Sequence, residues 1–279
     1  MSVPAPVNTE DKAVAVVLAR AGSKGVPGKN RAAVGGRPCA LWTLDAARAA
    51  ASVGTVALST DDDELKVLAR TMGVRVIDRP AALAADTTTV DDAVRQAVET
   101  LERAGVDCGR VVLLYANVPV RPDGLIDEAV GLLVNSGCDS VQSYCPVGKH
   151  HPWWTVRVDS EGSASPGAVR PWEGDTLYHN VFRRQDLPAA FVPDGGVCAV
   201  TRRALFREVP GVAPGPHAFL GRDRRAVITA EGAVVDIDSK IDLLVADAIL
   251  RERGGAARQE SKERQPLRAA AASMGRGAS

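Results

Sequence analysis

Short β-branched apolar runs alternate with longer stretches of helical character through the first half of this 279-residue chain. Runs at 13–18, 55–59, 75–77, 110–114 and 140–144 predict strands. Between them, 38–51 predicts a helix with Pro38 at its opening position. A second helix, at 61–72, begins with acidic residues and stops before Gly73, and two more follow at 89–104 and 122–135, ending before Gly105 and Gly137. This alternation predicts an α/β fold, a three-layer α/β/α sandwich around a mainly parallel sheet. Crossovers of one hand make the sheet doubly wound, so ligands belong beyond the carboxyl ends of its strands.

After Cys145 the rhythm breaks. Residues 146–193 hold three of the four tryptophans, Trp153, Trp154 and Trp172, and no long helix. A hairpin through 155–159, turning at Ser160-Glu161-Gly162, is expected within this excursion. Large aromatics on irregular backbone imply either a lid packed on its own domain or a surface that a second copy covers. Two further strands are expected at 196–201 and 233–237, with a helix at 239–253. Residues 1–12 read as a flexible N-terminus and 254–279, rich in Gly, Ala, Arg and Ser, as a disordered tail. One domain, 13–253, remains, with 146–193 as its excursion.

Composition narrows the function. Lys plus Arg and Asp plus Glu both number 34, so there is no basic field to collect nucleic acid. The apolar runs are of strand length, and the N-terminus carries prolines and acidic residues, which predicts neither a membrane span nor an export signal. Five scattered cysteines without a Cys-x-x-Cys pair suit a reducing cytoplasm.

Chemistry concentrates in three places. The loop from Leu18 to Asn30 combines Gly22, Gly25 and Gly28 with Arg20, Lys24 and Lys29. Backbone N–H groups converging in a glycine turn, with three cations beside them, are suited to a nucleoside triphosphate. The loop is neither a Walker A sequence nor a dinucleotide fingerprint. The second place is Val234-Val235-Asp236-Ile237-Asp238-Ser239. In a strand, residues two apart share a face, so Asp236 and Asp238 can address one divalent cation. Alternatively, Asp238 only caps the helix that follows. The third place is the strand end at Leu113–Arg121, where Asn117 offers an oxygen to a metal or a water. Separately, Arg183-Arg184 can capture a carboxylate or phosphate, although paired arginines also form plain solvated faces. His150 and His151 lack metal-ligand spacing, and neither Ser23 nor any thiol has a base partner, so positioned charge is the expected mechanism.

With these pieces in place, the chain resembles the acylneuraminate cytidylyltransferases across about 13–253. The resemblance is carried by Ala19-Arg20-Ala21-Gly22-Ser23-Lys24-Gly25 with Pro27-Gly28-Lys29-Asn30, by Ser59-Thr60-Asp61-Asp62, Arg79-Pro80-Ala81 and Asp86-Thr87, and by Arg183-Arg184-Gln185-Asp186-Leu187-Pro188 and Asp236-Ile237-Asp238. It implies that Ala19, Arg20, Gly22, Ser23, Lys24, Lys29 and Asn30 bind the nucleotide, with Arg79 and Thr88 toward the base. It makes Arg20, Lys29 and Asp238 catalytic and gives magnesium to Asp236 and Asp238. Arg184 and Gln185 resemble positions near the sugar acid. The chain departs from the family at Tyr115, which replaces a Gln that reaches sugar hydroxyls, and at Asp194, which replaces an Asn, so its sugar pocket, to which Asn117 also belongs, differs. The implied reaction is attack by the anomeric hydroxyl of a nonulosonic 2-keto sugar acid on the α-phosphate of CTP, in a homodimer whose excursion is a dimerisation arm. Two alternatives stand beside it. One is transfer to another acid such as 3-deoxy-manno-octulosonate. The other is a catalytically weak dimeric nucleotide-binding homologue.

Overall fold

A computed structural model describes residues 12–22, 25–85 and 88–254. Most of the expected flexible N-terminus, Ser23 and Lys24 of the glycine-rich loop, the Asp86-Thr87 pair and the expected tail from 255 onward lie outside the described residues.

In chain order the strands are β1 (Ala13–Ala19), β2 (Ala33–Val34), β3 (Arg37–Pro38), β4 (Val53–Thr60), β5 (Arg75–Asp78) and β6 (Arg110–Tyr115). They continue with β7 (Ser140–Pro146), β8 (Val156–Val158), β9 (Val169–Pro171), β10 (Phe191–Thr201) and β11 (Arg224–Ile228). Seven of them form one sheet in the order β11-β7-β10-β6-β1-β4-β5, parallel throughout except that β10 runs against both neighbours. The helices are α1 (Cys39–Ala49), α2 (Asp63–Thr71), α3 (Ala81–Ala84), α4 (Val90–Arg103), α5 (Leu125–Ser136), α6 (Arg202–Leu205) and α7, residues 240–254.

Every residue of β1 is buried, as a central parallel strand requires. Successive side chains alternate between faces. Val17 joins Leu58, Leu44, Leu65 and Leu133 beneath α1, α2 and α5, whereas Val16 joins Leu113, Val94, Leu101 and Leu205 beneath α4 and α6. Each such side chain contributes about 1.5–3 kcal/mol of burial. The expected three-layer sandwich is thus the observed one.

Two expectations differ. Residues 233–237 are not a strand: Val235 makes a lone bridge to Val120, donating to its carbonyl at 3.1 Å, and Ile237 N–H donates to Asn117 O at 2.9 Å. This segment crosses the carboxyl edge of the sheet, fastened to the loop after β6, and the outer position falls to β11. In the excursion, β8 and β9 pair across residues 159–168, a longer connection than a turn at Ser160-Glu161-Gly162. The strand ends share one edge, with Ala19 beside Thr60 and Leu18 beside Tyr115.

Candidate active site

The edge where β1, β4 and β6 end is built first by Ser59-Thr60-Asp61-Asp62. Thr60 Oγ1 donates to Ala19 O, and Asp61 Oδ1 accepts from Ala21 N–H at 2.8 Å, so both fix the chain as it leaves β1. Asp62 accepts from the N–H groups of Glu64 and Leu65, capping α2, and pairs with Arg31 at 3.0 Å. Ser59 receives Arg79, through Nε to its hydroxyl at 3.2 Å and Nη2 to its carbonyl at 2.9 Å. Burial pushes the Arg79 guanidinium down from its ordinary value, against the charge of Asp61, while Arg20 pushes it the same way as burial. This tetrapeptide therefore places the glycine-rich loop and Arg79 together. Sequence reasoning quoted it only as a family mark; a Ser/Thr/Asp run at a strand end was the available signal.

Asn30 closes the loop from its far side, its Nδ2 donating to Arg20 O at 2.9 Å. Because a carbonyl only accepts, this bond fixes the amide orientation and leaves Asn30 Oδ1, buried and without a partner among the described residues, as a free acceptor.

The late acidic segment meets the same loop. Lys29 Nζ donates to Ile237 O at 2.8 Å and to Asp238 Oδ1 at 2.7 Å. A Cβ on Gly25 would stand 2.2 Å from Asp238 O, so only glycine lets the two backbones approach this closely. Asp236 Oδ1 accepts from Asn117 Nδ2, which also donates to Ile237 O at 3.2 Å. Burial first, and the charge of Asp238 second, push the Asp236 carboxyl up to about 6, with Lys29 opposing.

The capping alternative for Asp238 has its own answer. Ser239 and Asp242 form a reciprocal box at the start of α7: Asp242 N–H donates to Ser239 Oγ at 3.3 Å, and Asp242 Oδ2 accepts from Ser239 N–H at 2.7 Å and Asp238 N–H at 3.1 Å. The Asp238 carboxylate, 74% exposed, is left to Lys29 and the cleft.

Two carboxylates whose charges repel, beside a phosphate-type loop, match the donors of a magnesium ion. Such an ion commonly takes one or two protein carboxylates and completes its shell with phosphate oxygens and water. Among the described residues no group of three or more His, Cys, Asp and Glu forms a cage that would hold a metal without substrate.

The remaining candidates are spread around this centre. Tyr115 ends β6, and burial raises its hydroxyl pKa above the usual range. Thr43 Oγ1 ties the following loop to α1 through Tyr115 O and Val118 O. Asp194 turns its oxygens inward, to the Ser143 and Thr229 hydroxyls and the Gly196 N–H. Arg184 pairs with Glu231 at 2.6 Å on the surface, and Gln185 lies in the same short 3-10 turn. Thr88 Oγ1 donates to Ala82 O at 3.0 Å, a local bond after α3. The geometry thus gathers Arg20, Lys29, Asn30, Arg79, Asn117, Asp236 and Asp238, and leaves Arg184 and Gln185 on the excursion. Sequence reasoning missed Ser143 and Thr229, whose roles depend wholly on tertiary neighbours.

Residues 14–151 match the family described as Cytidylyltransferase. An N-acylneuraminate cytidylyltransferase of Streptococcus agalactiae serotype V is 27% identical over 235 residues, covering 84% of this chain and 52% of the relative. That of Oncorhynchus mykiss is 30% identical over 197 residues, covering 71% and 43%. A CMP-N,N'-diacetyllegionaminic acid synthase of Legionella pneumophila is 32% identical over 151 residues, covering 54% and 64%. The chain thus spans about half the length of the first two relatives. Among solved structures, CMP:2-keto-3-deoxy-manno-octonic acid synthetase complexed with CTP shares the fold, with a TM-score of 0.61 at 18% identity over 87% of this chain and 99% of that one.

Proposed function

We propose, for a chain that belongs to the acylneuraminate cytidylyltransferase family, that it transfers CMP from CTP to the anomeric hydroxyl of a nonulosonic 2-keto sugar acid and releases pyrophosphate. The observation that carries this reading is the junction of Lys29 with Asp238 and Ile237 O, which brings the anion loop and the acidic segment to one point. No covalent intermediate is needed; charge and position supply the rate.

In this reading Arg20 and Lys29 offset charge on the departing pyrophosphate, and the loop backbone at Gly22 and Gly25 cradles the phosphates. Asn30 Oδ1, the free acceptor, takes a hydroxyl or amino hydrogen of the nucleotide and cannot serve an unprotonated phosphate oxygen. Arg79, set by Ser59, flanks the base. Asn117 holds Asp236 by its amide and so fixes the carboxylate beside Asp238. Held by Asp236 and Asp238, a magnesium ion would supply neutralising charge at the phosphates and favour ionisation of the attacking hydroxyl. Tyr115 and Asp194 shape the sugar end, and Arg184 and Gln185 approach the acid from the excursion.

The excursion itself is the dimerisation arm of this proposal, with Phe182 and Trp172 exposed for a second copy to cover. The test is pyrophosphate release from each of the four nucleoside triphosphates with a panel of 2-keto sugar acids and magnesium, 3-deoxy-manno-octulosonate among them. Release with CTP and a nonulosonic acid supports the reading. Release with the octulosonate alone moves the substrate, and CTP binding without release from any acid ends the catalytic reading.

A further inference from the structure

Arg121 follows the loop that carries Asn117, and its side chain is enclosed by protein. Its Nε donates to Gly196 O at 3.2 Å, while Nη1 and Nη2 are buried without a partner among the described residues. The N–H of the same Gly196 donates to Asp194 Oδ1 at 2.9 Å. A guanidinium and a carboxylate thus grip one glycine from its two sides.

β10 leaves its register here. Pro193 stands opposite Tyr144 and Cys198 opposite Gln142, so the strand bulges between them. Gly196 has no room for a side chain, since a Cβ would lie 2.9 Å from both Leu125 Cδ2 and Ser143 Oγ. Gly195, at φ +76°, faces the acidic pair; its Cβ position is 3.3 Å from Asp236 Oδ2. The bulge therefore brings the Asp194 charge to within one residue of the cleft. Burial lowers the Arg121 guanidinium to about 10, which leaves it cationic at neutral pH, and Asp194 is among the charges that act on it.

A buried charge stripped of its opposite leaves an uncompensated field in a medium that screens poorly. That field matters most to a co-substrate that is itself an anion. We propose that buried Arg121 and half-buried Asp194, joined through Gly196, offset each other's charge and so set the net charge at the sugar-acid end of the cleft, which makes Arg121 a positioning residue that determines specificity for an anionic co-substrate. The inference rests on the cytidylyltransferase reading for the identity of that co-substrate.

The experiment is a four-way cycle of the full chain, R121M, D194N and R121M/D194N, with KM measured separately for the sugar acid and for CTP, and with urea unfolding of all four. R121M should raise the KM for the acid at least tenfold and leave that for CTP within threefold. D194N should lower the KM for the acid severalfold, because it removes a negative charge beside an anion. The double variant should return to within threefold of the parent. A merely structural role gives the opposite sign for D194N and no recovery in the double variant; either result, or equal changes in both KM values, overturns the proposal. Should R121M fail to fold, the sign for D194N decides alone. Should no acid give product with the parent chain, the functional reading fails and the pair is judged by unfolding. There, a double variant more stable than the sum of the two single effects predicts upholds the coupling, and strict additivity overturns it.

Discussion

Asp236 and Asp238 stand two residues apart and carry their charges in different media, which gives each a distinct experimental signature. Asp238 is exposed and bonded to Lys29, so its ion pair is worth at most about 1 kcal/mol to the fold. D238N should therefore melt close to the parent while turnover falls at least 100-fold, since loss of one charge stabiliser at a phosphoryl site costs roughly 3 kcal/mol or more. Near-parental turnover would remove Asp238 from the mechanism. Asp236 is different. Burial and its neighbour push its carboxyl up to about 6, whereas the unfolded chain ionises it in the ordinary carboxylate range. The folded state thus keeps a proton that the unfolded state has released. The resulting contribution is fully present below about pH 4 and is lost as pH rises through about 6, by about 3 kcal/mol at most. With a chelator present, D236N should be more stable than the parent at pH 7.5 and not at pH 4, as measured by urea unfolding. A parent-minus-variant difference that stays flat with pH would contradict the buried, charge-coupled carboxylate.

At the scale of elements, the start of α7 separates helix capping from chemistry. Ser239→Ala removes one half of the Ser239/Asp242 box and should cost about 1 kcal/mol in urea unfolding, with turnover within threefold of the parent. Loss of turnover equal to that of D238N would mean that cap and carboxylate act as one unit. The loop gives the complementary case. Gly25→Ala places a methyl where Asp238 O stands, so the loop must retreat from the acidic segment; kcat/KM should drop at least 100-fold while the sheet core keeps its melting temperature. How far these elements were legible in sequence depends on where their partners lie. β1 and the glycine-rich loop were readable because burial and turn chemistry are local, whereas the acidic pair meets the loop by a route the sequence did not show, as an irregular segment fastened to the loop after β6 and not as a strand end. Residues 233–237 have a strand's composition, yet pairing requires a neighbouring edge, and the loop after β6 accepts two bonds, at Val120 and Asn117, without forming a ladder. The β10 bulge was invisible for the same reason, because Asp194 finds Ser143, within β7, and Thr229, just past β11, only after the sheet has formed.

For the whole molecule, the excursion between β7 and β10 decides whether the chain works alone. It presents Phe182 at 91% exposure and Trp172 at 55%, a concentration of apolar surface that a lone soluble domain rarely keeps. Yet the segment is specifically ordered. Trp153 stacks on His179 with ring centres 4.6 Å apart, Trp154 Nε1 donates to Val181 O at 3.0 Å, and His151 Nε2 bonds Pro188 O. Tyr178, His179 and Asn180 are all left-handed, at φ 57°, 48° and 56°, a conformation that costs about 1–2 kcal/mol for each of Tyr and His and less for Asn. A lid folded on its own domain would bury Phe182, whereas its ring is almost wholly exposed. This favours the second of the two roles expected from the aromatic composition, a surface that another copy covers. The full chain should sediment as a dimer, with roughly 800 Å² buried on each copy, the scale of a stable interface. Phe182→Asp places a charge in that contact and should shift the equilibrium to monomer by light scattering, while the monomer's own unfolding stays near the parental value because the ring touches little of its own chain. A parent chain that is monomeric at micromolar concentration would leave the exposed aromatics to a different partner and remove the arm from the proposal.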